Sequence, residues 1–250
     1  MLRNFTLLFL IATSVLTAQN AEGIYLKFGI NTANIEWQNA RNLFGEFSDL
    51  RPWLDRQPVV SDKAGGWNIG YGVGNKWFYA EMNYMSNRMH TRYQGVDSSG
   101  NEIKGSYMLI NRTLTLGGGI KLIPTPYFRI GIFAGISANP FVIKDVPNEV
   151  LKQRLAAFFL MPLLFTKYSS SPLDSKFTLA GKLSASVQIG GNFGVTVEPY
   201  YLIPFWNTDL NSTRFKLNGF STDPGYAESD FKTNMKFWGI KFCAYIGYSG

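Results

Sequence analysis

The chain has 250 residues, with 24 Lys and Arg against 17 Asp and Glu for a formal charge of +7, and only 16% of its residues are charged, well under the about 25% of an ordinary soluble domain. Another 16% are aromatic and 25 are glycine, a composition that fits neither a disordered chain nor a charge-driven nucleic-acid binder, and the length suits one good-sized domain. The single cysteine, Cys243, excludes an internal disulfide framework and Cys-rich zinc or iron–sulfur sites, and the single histidine, His90, excludes most His-based metal clusters, so no cofactor or metal is indicated.

Residues 1–18, MLRNFTLLFLIATSVLTA, read as a secretory signal: Arg3 gives a short positive start, Leu7 to Leu16 an apolar stretch, and Ala18 precedes a cleavage point at Gln19. Leu16 stands where a small residue is preferred. The apolar stretch is shorter than the about 17–25 residues a membrane-spanning helix needs. Further along, the most apolar run, Leu155 to Phe165, is interrupted by Pro162. An exported, apolar chain without a spanning helix is either soluble or crosses a membrane as a closed sheet.

Period-two alternation decides between these, over eight segments. Ile24, Leu26, Phe28 and Ile30 alternate with Tyr25, Lys27, Gly29 and Asn31. Trp67, Ile69, Tyr71 and Val73 oppose Asn68, Gly70, Gly72 and Gly74. Phe78, Ala80, Met82 and Tyr84 then oppose Trp77, Tyr79, Glu81 and Asn83. Ile110, Leu114, Leu116, Ile120 and Leu122 share the face opposite Asn111, Thr113, Thr115, Gly119 and Lys121; Phe128, Ile130, Ile132, Ala134 and Ile136 oppose Arg129, Gly131, Gly135 and Ser137. Lys176 to Gly190 sets Phe177, Leu179, Leu183, Val187 and Ile189 against Thr178, Lys182, Ser184 and Gln188. Phe193 to Ile203 and Trp238 to Tyr248 repeat the pattern around Glu198 and Lys241.

The polar face is glycine, small hydroxyls and isolated charges, too poor in charge for the outside of a soluble sandwich. Inverting the sheet resolves this: apolar side chains face lipid, small polar ones fill a narrow lumen, and closure pairs every backbone group. Tight turns at Asn75-Lys76, Pro124-Thr125-Pro126 and Gly191-Asn192 alternate with long connections at about 32–66, 94–105, 141–175 and 206–231, as in barrels with short turns on one side of a membrane and long loops on the other. The predicted fold is therefore all-β, an eight-stranded antiparallel transmembrane up-and-down β-barrel spanning a single domain over 19–250. Ten strands is the alternative, because 148–165 reads as either a short helix or a further strand. A soluble barrel of lipocalin type is the remaining rival. Arg112 falls on the lipid phase, where a midplane arginine costs ~2–4 kcal/mol, so it either snorkels to the interface or a bulge shifts its phase. Lys236, on the lipid phase near the loop end of the last segment, reads the same way.

The inward charges are Lys27, Glu81, Lys121, Arg129, Lys182, Glu198 and Lys241. An eight-stranded lumen is just filled by side chains, so these charges must pair, in a network around Glu81 and Glu198. The network either plugs the barrel or lines a narrow, anion-leaning passage. The long loops are the ordinary place for function on such a scaffold. Trp37, Phe44, Phe47 and Trp53 in the first loop form either a local core or a contact patch. An enzyme would need His90 to activate Thr91 or Ser86, oriented by Asp97 or Glu102, and nothing fixes these residues at that spacing. Scattered basic residues indicate no nucleic-acid groove, and Gly117-Gly118-Gly119 lies within a strand.

The leader ending in Thr17-Ala18-Gln19, the opening Ile24 to Ile30, the Gly-rich second segment and the closing Met235 to Tyr248 together resemble the small outer-membrane β-barrel proteins of Gram-negative bacteria. Their architecture is that of the OmpA transmembrane domain and OmpX, and the chain is particularly similar to the "outer membrane protein beta-barrel domain" family of Bacteroidetes. The resemblance implies integral placement in the outer membrane, contact with outer-membrane lipid and lipopolysaccharide, and insertion by the barrel assembly machinery. That machinery recognises a C-terminal aromatic, whereas here Tyr248 is followed by Ser249 and Gly250. It implies a structural or surface-interaction role, with a protein or glycan as partner at the long loops, and supplies no active-site residue; a narrow diffusion channel and a lipid-modifying enzyme are the alternatives.

Overall fold

The computed structural model describes residues 23–125, 127–146, 172–219 and 222–249. The leader and the segment 148–165 lie outside the described residues. Eight long strands close into a ring: β1 (Gly23–Ile35), β3 (Lys63–Gly74), β4 (Phe78–Val96), β5 (Glu102–Pro124), β6 (Phe128–Asp145), β7 (Pro172–Gly190), β8 (Phe193–Pro204) and β11 (Phe237–Ser249). Each pairs antiparallel with the next in chain order, and β11 pairs back onto β1 from Gly23↔Ser249 to Ile35↔Phe237. Among the described residues three short elements complete the sheet inventory: β2 (Leu54–Arg56) on the outer end of β4, and β9 (Thr208–Asp209) paired with β10 (Lys232–Thr233). The ring closes on eight strands.

Alternation sorts the two faces as lipid and lumen require. Phe28, Ile30, Ile69, Ile132, Ile136, Leu183, Val195 and Ile246 are exposed on the outside, while Lys27, Glu81, Lys182, Glu198 and Lys241 are buried inside. Among the described residues no helix is long and apolar enough to cross a membrane. An outside this apolar around a closed, polar interior is the arrangement in which hydrocarbon is the solvent. Arg112 is exposed on the outer phase opposite Ser86, and the β5–β6 register runs unbroken from Asn111↔Phe141 to Leu114↔Ala138, so no bulge turns it inward. Lys236 precedes β11, its carbonyl accepting the Glu36 N–H at 2.9 Å.

Two inward glycines show why the lumen face carries so little side chain. A Cβ on Gly72 would lie 2.1 Å from the Tyr25 ring, and one on Gly119 2.4 Å from the Tyr79 ring. Each glycine leaves the gap in which an inward tyrosine of a neighbouring strand lies flat.

Strand length divides the ring. The adjacent strands β8, β11, β1 and β3 have 12 or 13 residues, whereas β4 to β7 have 18 to 23. A tilted strand crosses a bilayer in about 9–11 residues. The upper part of β4 to β7 therefore stands above the apolar belt as a curved wall. The connections at this end are 36–62, 97–101, 146–171 and 205–236. They begin and end a few residues from the sequence expectation, chiefly because β4, β5, β6 and β7 continue past the belt.

Against the wall packs α1 (Gln38–Asp49), whose Ala40, Leu43, Phe44 and Phe47 recur at helical spacing and are all buried. The shorter α2 (Asn211–Asn218) ends on Gly219 in the left-handed conformation, φ +62°. A 3₁₀ turn at Glu228–Phe231 adds the buried Phe231.

Candidate functional site

Five of the seven inward charges meet in the lumen. Lys27 Nζ lies 2.5 Å from Glu81 and 3.8 Å from Glu198; Lys182 Nζ is 2.9 Å and Lys241 Nζ 2.6 Å from Glu198. The Tyr25 hydroxyl donates to Glu81 at 3.0 Å. Glu81 on β4 and Glu198 on β8 come from opposite walls of the ring, four strands apart, so Lys27 spans the lumen between them. Lys182 also stands over the Phe133 ring, 5.0 Å from its centre. All five side chains are at most 5% exposed. Charges this deep persist because each is paired.

Lys121 and Arg129 stay apart from this cluster, at the short-turn end. Lys121 Nζ donates to the Asn75 carbonyl at 2.5 Å and Arg129 Nε to the Thr125 carbonyl at 3.3 Å.

Above the ion pairs the interior is a layer of buried amides and hydroxyls. Asn31 donates to Asn87, the Cys243 thiol lies 3.1 Å from Asn68 Oδ1, and Thr115 and Ser137 hydroxyls are 2.8 Å apart. Higher still the interior turns apolar. Ile35, Met85, Met89, Tyr107, Leu109, Phe141, Ile143, Leu202 and Phe237 point inward from the strands and meet Trp37, Leu43, Phe44, Phe47, Leu210, Leu217, Phe231 and Met235 from the connections. Trp37 and Phe141 rings are 5.2 Å apart, Phe44 and Tyr107 5.3 Å, Phe47 and Tyr93 5.3 Å. The loop-one aromatics thus form a core, not an open patch.

One buried ion pair fastens this cap. Arg214 of α2 makes a two-pronged contact with Glu46 of α1, its Nε at 2.7 Å, and Glu46 also accepts from the Asn218 side chain and the Asp223 N–H, both at 2.9 Å. At the rim, Asp174 on β7 faces Ser212, Thr213 and Lys216 of α2. Partial burial pulls its carboxyl up, but donors from Thr213, the Ser175 N–H and Lys176 outweigh that and hold it at about 2.

The hydroxyl-activating arrangement around His90 does not assemble. His90 is exposed on the outer phase of β4, Thr91 is buried on the inner one, and Ser86 is buried. The Asp97 carboxylate accepts the Ser99 and Asn101 N–H groups of its own turn, and Glu102 pairs with Lys104 and Gln94. The sequence offered a local core for Trp37, Phe44, Phe47 and Trp53, and it missed that inward residues of the strands and the later connections join that core. The one signal of this was apolar residues on the polar phase: Tyr107 and Leu109 on β5, Phe141 and Ile143 on β6.

No protein-family model and no curated protein matches the sequence. Among solved structures the chain is similar to the attachment invasion locus protein Ail of Yersinia pestis, in complex with the heparin analogue sucrose octasulfate, at 11% identity over 92% of this chain and 99% of that one, TM-score 0.43. Neisserial surface protein A matches at 10% identity over 89% and 96%, TM-score 0.43, and OprG of Pseudomonas aeruginosa at 11% over 92% and 98%, TM-score 0.43. These are small outer-membrane β-barrel proteins.

Proposed function

We propose that the protein is an integral outer-membrane barrel of a Gram-negative envelope that keeps its lumen shut and presents a folded cap, built from its long connections, as a surface for interaction. The observation that carries this reading is the cap: two helices and a hydrophobic core seated on the extended strands, over a lumen already filled by ion pairs. Loops that served only to join strands would not need to bury an apolar core against them. In this reading residues 1–18 are a cleaved export signal. Lys27, Glu81, Lys182, Glu198 and Lys241 form the plug, and outer-membrane lipid and lipopolysaccharide surround the belt. The barrel assembly machinery inserts the chain, and a protein or glycan is the partner of the cap.

Two readouts on the same protein test this. An epitope inserted in the exposed Asp97–Asn101 turn is expected to be reached by antibody on intact cells. In planar bilayers the purified protein is expected to give no stepwise conductance, and Cys243, inside the column, to resist charged thiol reagents added from either side. Stepwise openings together with labelling of Cys243 would overturn the closed lumen, and an epitope reached only after lysis would overturn the orientation.

A further inference from the structure

We propose that the cleft at the outer rim, between the upper end of β7 and the start of α2, binds a neutral saccharide. The inference rests on the surface role assigned to the cap and names the ligand at one place on it.

The cleft arises where two neighbouring strands stop at different heights. The β7–β8 ladder ends with the Phe205 N–H donating to the Leu179 carbonyl at 2.8 Å. Past that bond β7 extends up to Pro172, while the chain leaving β8 runs into β9 and α2. The gap between them is a cavity of about 380 Å³ whose lining includes Lys176, Phe177, Asn207, Asp209, Asn211 and Ser212. That volume lies within the about 300–1,000 Å³ of small-molecule sites. Phe205 and Trp206, 58% and 44% exposed, stand just beyond the end of β8, where aromatic rings mark the edge of the hydrocarbon. The cleft therefore opens just above the apolar belt, at the level of the lipid headgroups.

The lining selects the ligand. Its charges cancel locally: Lys176 is 3.2 Å from Asp174 and Lys232 is 3.4 Å from Asp209, so neither an anion nor a cation is drawn in. Phe177, 52% exposed, is the one apolar residue of the lining, too little for an apolar ligand. An aromatic face beside amide, hydroxyl and carboxylate groups suits a sugar ring. The C–H side of the sugar stacks on the electron-rich face of Phe177, and its hydroxyls meet donors and acceptors around it. Most of those groups are already held in place. Ser212 Oγ sits between Lys176 Nζ at 2.6 Å and Asp174 at 3.1 Å, and Asp209 Oδ1 accepts the N–H and the side-chain amide of Asn211, both at 2.9 Å. Side chains fixed beforehand lose little freedom on binding, which favours affinity. The exposed Asn207 adds an amide donor and acceptor. A soluble glycan and the sugar of a glycolipid in the surrounding leaflet present the same chemistry.

The test uses the folded full-length barrel in a zwitterionic detergent that carries no sugar. Neutral mono- and disaccharides of glucose, galactose, mannose and N-acetylglucosamine are titrated in turn and followed by saturation-transfer NMR. Saturable binding of at least one is expected, with transfer strongest at the C–H face that meets Phe177. Phe177→Ala and Asp209→Asn should each weaken it about tenfold, as loss of a stacking face or of a charged acceptor implies. Raised salt should leave it unchanged. Tyr127→Ala removes a ring 74% exposed at the short-turn end and should bind as the wild type does, which separates the site from adhesion to any exposed ring. Boiled and unboiled gel mobility certifies that each variant is folded. In a second arm, micelles doped with monoglucosyl diacylglycerol replace the soluble sugars. Saturation by a soluble sugar identifies a free glycan, and saturation only by the doped micelles a lipid-borne one. Saturation in neither arm, loss of binding at raised salt, or equal affinities of Phe177→Ala and the wild-type protein overturns the site. If the epitope in the Asp97–Asn101 turn is still reached on intact cells, the surface role stands without it.

Discussion

Removing a single carboxylate tests how the lumen holds its charges. Glu198 serves two ammoniums whose side chains are 0% exposed, Lys182 and Lys241. Glu198→Gln strands both, and breaking a buried pair in this way costs about 3–5 kcal/mol. The expected result is a matching loss in urea unfolding of the barrel in lipid vesicles. Glu81→Gln should cost less, because Lys27 keeps Glu198 at 3.8 Å. Equal and small losses would mean that water screens the lumen. At the rim, Asp174 sits at about 2, below its ordinary 3.8. A depressed carboxylate contributes stability that is present above the unfolded value and is lost as pH falls through the folded one. The stability gap between wild type and Asp174→Asn should therefore be full at pH 5 and close between about pH 4 and pH 2. A gap that persists at pH 2 would show that Asp174 acts through packing alone.

Among the elements, the cap shares its core with the strands and is fastened within itself where Arg214 meets Glu46. Both side chains are at most 4% exposed. Glu46→Ala leaves Arg214 buried without a partner, at a cost of about 3–5 kcal/mol. The cost falls on the cap, so trypsin should cut after Arg41 and Arg51 while the boiled-against-unboiled mobility difference persists; loss of both together would mean that cap and barrel fold as one. The strands of the barrel were legible from sequence because lipid outside and a filled lumen inside enforce period two residue by residue. The shared core of the cap was not. Helix α1 starts at Trp37 with no side-chain cap, and much of QNARNLFGEFSD is polar. Above the belt, Tyr107 to Ile110 are apolar on both phases because both faces of the wall are covered there, which erases the alternation. The inward charges could be assigned to a face, but period two says nothing about which strands oppose each other across a ring. The Lys27 bridge between Glu81 and Glu198 followed only from closure. Lys121 and Arg129 share the face and stand apart because each lies within a few residues of a short turn.

For the molecule as a whole, the decisive property is which solvent the outer face meets. Ile132 on β6 is 45% exposed between Phe128 and Ile136, near the middle of the belt. Ile132→Arg should cost ~2–4 kcal/mol in urea unfolding from phospholipid vesicles, the depth-dependent price of a cation at the midplane. The wild-type Arg112, higher on the wall, should be replaceable by Leu with a change near zero. No loss at Ile132 would mean that this face does not meet hydrocarbon.

The place of the Glu46–Arg214 contact in the chain has a consequence in time. Glu46 follows β1 and Arg214 precedes β11, the two strands that close the ring, and the residues are 168 positions apart. Neighbouring hairpins form from local contacts, whereas the junction of first and last strands waits for the whole chain. Because its two halves arrive from either side of that junction, the cap assembles only when the circle is complete. A partner that recognises the assembled cap therefore distinguishes finished barrels from those still open.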